Sequence, residues 1–202
     1  MLLRPLGLFG VALLSTGCIS GPESTVFVMS GPLAARSTTA TDGDMPSVQV
    51  ATVSLPAFLD NDDILVRHGP YALDASKTGH WGERLSLGLT HALAADLTRK
   101  LPGVRVGLER SLAPSGRRLQ VEVDSFDVYP DGHCVLAANW SVVAASGAAV
   151  SDAGASGAAP PAFGRGVFAT PASGRSPADD EEIVRAMAQA TAELADAILA
   201  SL

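Results

Sequence analysis

The sequence predicts an α/β chain of the α+β kind: one domain, a largely antiparallel sheet, and two main helices packed on one face of it. Three observations carry this. Several segments alternate apolar and polar residues with period two, as half-buried strands do. Two segments repeat apolar residues every three or four positions, the spacing of an amphipathic helix. Asp131-Gly132 lies between two long apolar runs and is a strong hairpin signal. A length of 202 residues supports one domain with a sizeable core, and no internal repeat divides it. Aromatic residues make up only 5%, so Leu, Val and Ala must fill that core.

The N-terminus reads as a leader, residues 1–17. Arg4 supplies the early positive charge, Leu6 to Leu14 is apolar but too short to span a bilayer, and Ser15, Thr16 and Gly17 suit a signal peptidase. Cys18 follows directly. An apolar run ending in Thr-Gly-Cys resembles a bacterial lipobox, with Ser15 where a Leu is usual. That resemblance implies a Cys18 lipidated on sulfur that becomes the mature N-terminus. It leaves residues 18–24 as a tether and 25–202 as the domain. Ile19 after the cysteine, rather than aspartate, implies outer-membrane sorting in a Gram-negative cell.

Thr25 to Gly31 reads as a first strand, and Pro32 to Pro46, rich in Ser, Thr, Gly and Asp, as a loop. Ser47 to Leu55 alternates as a half-buried strand, with a bulge near Ala51 to absorb the odd spacing from Val50 to Val53. Pro56 has no N–H to donate and ends that ladder. Asp60 to Asp63 (DNDD) is turn chemistry, Ile64 to Gly69 resumes strand, and YALDAS continues it. Trp81, Leu85, Leu89, Leu93 and Leu97 stand four apart and predict the first helix, which Pro102-Gly103 stops. Val104 to Leu108 is a short strand.

Leu119, Val121 and Val123 share one strand face, while Phe126 and Val128 fall on the other parity. A bulge at Ser125 would restore them. Pro130 to Gly132 turns the chain into a second long strand through Cys134. Ala148 to Ala162 reads as a Gly/Ala/Ser/Pro loop, and FGRGVFAT as a last strand. Ser176 before Pro177 is the expected N-cap of a final helix, whose Asp-Asp-Glu-Glu run suits the positive end of its dipole. Ile183, Met187, Ala190, Leu194 and Ile198 line one face of it.

Charge limits the partners. The net charge is -7 and the pI about 4.9, which argues against nucleic acid and offers no polybasic patch to anionic lipids. Loss of Arg4 with the leader makes the mature chain one charge more negative. Acyl chains at about 0.8 kcal/mol per buried CH2 would still hold it on a membrane. With Cys18 acylated, Cys134 has no partner for an internal disulfide and reads as a small buried hydrophobe.

Chemistry is sparse. There is no G-x-S-x-G elbow, no Walker A loop and no H-E-x-x-H helix, and His68, His80, His91 and His133 lack metal-ligand spacing. The Asp60 to Asp63 run begins like a calcium loop but has neither the central Gly nor the closing Glu. As a turn tip it should be solvated, with ordinary carboxylate pKa values. No enzyme activity, cofactor or metal is expected.

VSLPAFLDNDDILVRHGPYAL, followed by HWGERLSLGLTHALAADL, resembles the PqiC-type ABC-transport auxiliary lipoproteins. The pieces are Leu55-Pro56, Phe58-Leu59-Asp60, the strand Ile64 to Arg67, and Trp81, Glu83 and Leu85 opening a helix. Phe58 stands where tyrosine is commoner, and the turn lacks the basic residue that often follows Leu-Asp. The resemblance implies an outer-membrane lipoprotein facing the periplasm. Its implied partners are an ABC or PqiA-like inner-membrane component and an MCE-domain protein, in a system that moves lipids or other hydrophobic compounds and supports envelope integrity. Phe58, Asp60, Arg67, Trp81 and Glu83 are then candidates for contact with a partner or ligand, Phe58 being either core or docking knob, and homo-oligomers fit the same picture. Two rival readings stay open: a lipoprotein that itself binds a hydrophobic ligand between helices and sheet, and an envelope hydrolase using Asp60 to Asp63 or His68.

Overall fold

The computed structural model describes residues 24–29, 45–109, 116–145 and 160–202. Cys18, the leader, the tether up to residue 23 and the Gly/Ala-rich segment before Pro160 lie outside them. The described residues form eight strands and two helices around a single core. In chain order these are β1 (Thr25–Phe27), β2 (Ser47–Val50), β3 (Asp63–His68), β4 (Ala72–Trp81), α1 (Leu85–Lys100), β5 (Arg105–Leu108), β6 (Arg117–Val128), β7 (Cys134–Ala144), β8 (Ala162–Ala169) and α2 (Asp180–Leu199).

The α+β class and the single domain hold. The strands divide into two sheets, β1-β4-β3 and β5-β2-β6-β7-β8, and both are mixed. The long hairpins β3–β4, β6–β7 and β7–β8 are antiparallel, while the short strands β1, β2 and β5 join in parallel.

The β6–β7 hairpin supplies the floor of the core. Leu119, Val121, Val123, Phe126 and Val128 face Val142, Trp140, Ala138, Leu136 and Cys134 across the ladder, and all ten are buried. They share one face because the register shifts between Val123 and Ser125, the bulge that the parity change predicts. Tyr129 N–H bonds the His133 carbonyl at 3.0 Å across the turn, Gly132 takes a positive φ of 81°, and the Tyr129 and His133 rings stack at 4.0 Å.

The helices close the core, α2 over β7 and β8 and α1 against β5, and touch each other. Leu85, Leu89, Leu93 and Leu97 of α1 and Ile183, Met187, Ala190, Leu194 and Ile198 of α2 are all buried, as their spacing predicts. At about 25 cal/mol per Å2 of apolar surface, each such Leu or Ile contributes roughly 1.5–3 kcal/mol on burial. Trp81, placed with the first helix by its spacing, is the last residue of β4, and α1 begins four residues later. The start of α2 also differs from expectation. Its cap is Asp179, not Ser176: the Asp179 carboxylate accepts from Glu182 N–H at 2.9 Å while Glu182 accepts from Asp179 N–H at 3.2 Å. This reciprocal capping box satisfies two helix-end groups at once, which a lone serine cannot do. The first turn of α2 docks on β4, where Ser76 and Thr78 hydroxyls donate to Asp180 at 2.9 and 2.7 Å.

Two strand readings also shift. β1 ends at Phe27, short of Gly31. β2 is buried at every position rather than at alternate ones, lying between β5 and β6. The ladder breaks after Val50 and resumes at Ser54, whose carbonyl accepts from Val123 N–H at 2.9 Å. Val53 N–H points instead to the Thr90 hydroxyl of α1 at 2.9 Å. The odd step from Val50 to Val53 therefore marks where the chain leaves the end of β2 and meets the helix.

Candidate functional site: the corner that caps the first helix

The stretch from Pro56 to Asp63 is the corner expected of it. The chain turns at Leu59, whose N–H bonds the Pro56 carbonyl at 2.9 Å. Asn61 then closes a side-chain turn, its carbonyl oxygen accepting from Asp63 N–H at 2.8 Å while its amide donates to the Phe58 carbonyl at 2.9 Å. Leu59 is driven inward and is core; Phe58 points out and is 52% exposed.

Asp60 does something the turn chemistry alone does not foretell. The residue at the N-cap of α1 is Arg84, which offers no capping acceptor. Asp60 supplies it from the corner, its Oδ1 accepting from Ser86 N–H at 3.1 Å while its Oδ2 pairs with the Arg84 guanidinium. The Asn61 carbonyl accepts from Leu85 N–H at 3.2 Å. Two orphan donors of the first turn are thus met by a loop more than twenty residues upstream. A carboxylate at this end also opposes the positive pole of the helix dipole.

The expectation of solvated aspartates with ordinary pKa values fails at Asp60. Its side chain is only 17% exposed. Burial pushes its pKa up, but Ser86, through its hydroxyl and its N–H, and Arg84 together outweigh that and hold the carboxyl below its ordinary value.

The other candidates are placed as follows. Trp81 is buried, so its ring plugs the core behind the corner rather than meeting a partner at the surface, and its backbone N–H donates to the Asp62 carbonyl at 2.7 Å. Glu83 reaches along α1 and meets His91 Nδ1 at 3.0 Å, on the helix surface. Arg67 binds Asp127 through Nε and Nη2 at 2.7 and 2.6 Å, both side chains being mostly buried, and so clamps β3 to β6. Of the five, Phe58 alone presents an apolar side chain to solvent. Cys18, the expected lipidation site, lies outside the described residues.

The rival catalytic residues do not converge. Asp63 begins β3, directly after Asp62, whereas His68 ends it, and five steps of strand separate Asp63 from His68 by about 16 Å. His68 stands 3.7 Å from Asp74, both well exposed. Cys134 is fully buried, and burial, with Asp127 adding to it, pushes its thiol up to about 12. Beside it, Asp131 is held below its ordinary value by the hydrogen bond from His133. Among the described residues no group of His, Cys, Asp and Glu has the arrangement of a metal site, and no helix is long and apolar enough to cross a membrane.

Grooves exist at the surface. One, of about 680 Å3, runs between α1 and the β2–β5 edge past Leu55, Asp60, Arg84, Leu87, Thr90 and His91. Another, of about 710 Å3, lies between β4 and the start of α2.

Sequence reasoning missed the capping role of Asp60 and the clamp role of Arg67. The first had a signal: Gly-Glu-Arg-Leu-Ser opens α1 without Ser, Thr, Asp or Asn at the cap, so an acceptor had to come from elsewhere. The second had none, since Asp127 is sixty residues from Arg67.

The fold is similar to that of a crystal structure of an uncharacterized protein, 18% identical, with a TM-score of 0.66 and coverage of 87% of this chain and 96% of that one. It is also similar to a protein from Xanthomonas campestris, 16% identical, with a TM-score of 0.57 and coverage of 87% and 92%. At such identities the likeness is one of fold. No curated protein matches the sequence. The family described as ABC-type transport auxiliary lipoprotein component, which includes PqiC-type proteins, matches residues 27–199, nearly the whole domain. The chain belongs to the ABC-type transport auxiliary lipoprotein family.

Proposed function

We propose that this chain is an outer-membrane-anchored periplasmic subunit of an ABC/MCE-type system that moves lipids or other hydrophobic compounds and supports envelope integrity. The observation that carries the reading is the family match over residues 27–199. The leader, residues 1–17, is removed, Cys18 carries the acyl chains, and residues 18–24 tether the domain. Ile19 directs the protein to the outer membrane of a Gram-negative cell.

The subunit acts by position, not by chemistry. Holding a docking domain at one leaflet raises the effective concentration of its partner there without any new contact. Its partners are an MCE-domain protein and an ABC or PqiA-like inner-membrane component. The scattered titratable groups, the inert Cys134 thiol and the structural use of Asp60 support a role without catalysis.

Affinity capture of the acylated protein from solubilised envelopes tests the reading. It should retain an MCE-domain protein, and gene deletion should raise envelope permeability to hydrophobic dyes. Unchanged permeability together with no such partner would refute it. In a second reading the lipoprotein itself holds a hydrophobic ligand, for which the groove of about 680 Å3 beside α1 offers Val53, Leu55, Leu87 and Leu108 among polar neighbours. Lipid extracted in stoichiometric amount from the purified protein would support that one.

A further inference from the structure

Four exposed apolar side chains gather at one end of α1. Val26 and Val28, each 57% exposed, stand over Gly82: a Cβ placed there would lie 3.1 and 3.4 Å from their Cγ1 atoms. Gly82 lies two residues before Arg84, the N-cap of α1, and its N–H bonds the Phe27 carbonyl at 2.8 Å. Phe58 sits on the corner that caps α1, and Leu87, 40% exposed, is in the first turn of the helix. Of the other exposed rings, Tyr71 is in the β3–β4 turn, at the far end of that hairpin from the corner, and Phe163 is on the edge strand β8 with exposed Val167.

The chain itself indicates what covers this surface. Thr25 opens β1 only seven positions after Cys18. Fully extended, that stretch reaches about 25 Å. An acylated Cys18 therefore keeps β1, and with it the end of α1, close to the bilayer. Single exposed apolar residues need no explanation, but a group of them at the tethered end does.

We propose that Val26, Val28, Phe58 and Leu87 are the surface on which the domain rests against the bilayer interface. The proposal rests on the acylation of Cys18 proposed above. It adds an orientation: the start of α1 faces lipid, and the β3–β4 turn with Tyr71 faces away, toward the periplasm. The contact is apolar rather than electrostatic. Arg84 is taken up by Asp60, and Asp62 and Asp63 are exposed on the same corner, so anionic headgroups gain nothing there.

The test uses the full acylated protein in vesicles of phosphatidylethanolamine and phosphatidylglycerol. An environment-sensitive fluorophore is placed by Val28→Cys or Leu87→Cys, with Tyr71→Cys as reference; Cys134 is buried and is not labelled in the folded state. Lipids carrying a quencher near the headgroup should quench probes at 28 and 87 several-fold more than at 71, equally at low and high salt. Vesicle-bound protein with equally weak quenching at all three positions would overturn the contact while leaving the anchor intact. A blue shift at 28 and 87 that grows with protein density but is insensitive to the lipid quencher would assign the surface to a second copy and overturn the proposal. Protein that does not float with the vesicles would sink the anchor and the contact together.

Discussion

Replacing Asp60 by alanine should destabilise the protein by about 2 kcal/mol, and the loss should depend on pH. The magnitude follows from what the carboxylate touches. It accepts from Ser86 N–H at 3.1 Å, doing the work of an N-cap, and such caps contribute about 0.5–2 kcal/mol. Its charge at the positive end of α1 adds about 0.3–1 kcal/mol, a part shared with the cap term. The ion pair with Arg84 adds little, since that side chain is 66% exposed. Asp60→Asn keeps an acceptor but loses the charge, so it should cost about half as much. The pH dependence has a definite sign. The folded pKa lies below the unfolded value, near 3.9, so the charge contribution is fully present above that value. It is lost as pH falls through the folded pKa, so wild type and Asp60→Asn should converge in acid. Urea titration followed by circular dichroism and by tryptophan fluorescence, with buried Trp81 reporting on the corner, measures this directly. A loss below about 0.3 kcal/mol for Asp60→Ala, or a gap to Asp60→Asn that ignores pH, would refute the capping account.

Three further predictions follow from single contacts. A Cβ at Gly164 would lie 2.2 Å from the Trp140 ring, so Gly164→Ala should cost about 1–3 kcal/mol in urea unfolding, and a change within experimental error would show the edge strand to be loosely packed. A double-mutant cycle on Arg67→Ala and Asp127→Ala should return a coupling of about 1–3 kcal/mol, because both side chains are largely withdrawn from water; zero coupling would mean that the two sheets are joined by apolar packing alone. Cys134, with its thiol pushed up to about 12, should resist a disulfide reagent in the native protein at mildly alkaline pH and react after unfolding, whereas rapid native labelling would contradict its burial.

What could be read from residues alone was set by the range of the forces involved. Leucines four apart in α1, the parity break at Ser125 and the Asp131-Gly132 turn are local signals, and each maps onto the structure as expected. The division into two sheets was not legible, because the partners of β1, β2 and β5 are distant in sequence and their parallel pairing leaves no local mark. Trp81 continued the helical spacing yet ended a strand, since a four-residue step is met equally well by a ring dropping into the core just before the helix begins. Ser176 lost the cap of α2 to Asp179 because the Asp-x-x-Glu pair bonds in both directions. At the candidate site the motif residues were legible and their roles were not: Asp60, Arg67 and Trp81 build the frame, and Phe58 is left at the surface.

The mass of the mature protein decides whether Cys18 anchors this domain to a membrane. Intact mass spectrometry of wild type and Cys18→Ala, purified from membranes after growth with labelled palmitate, reads both the cleavage point and the acyl chains. Acylation at Cys18 predicts a wild-type chain that starts at Cys18 and carries label, and a Cys18→Ala chain without label that leaves the membrane fraction. A wild-type chain recovered soluble, unlabelled and beginning at any other residue would contradict it.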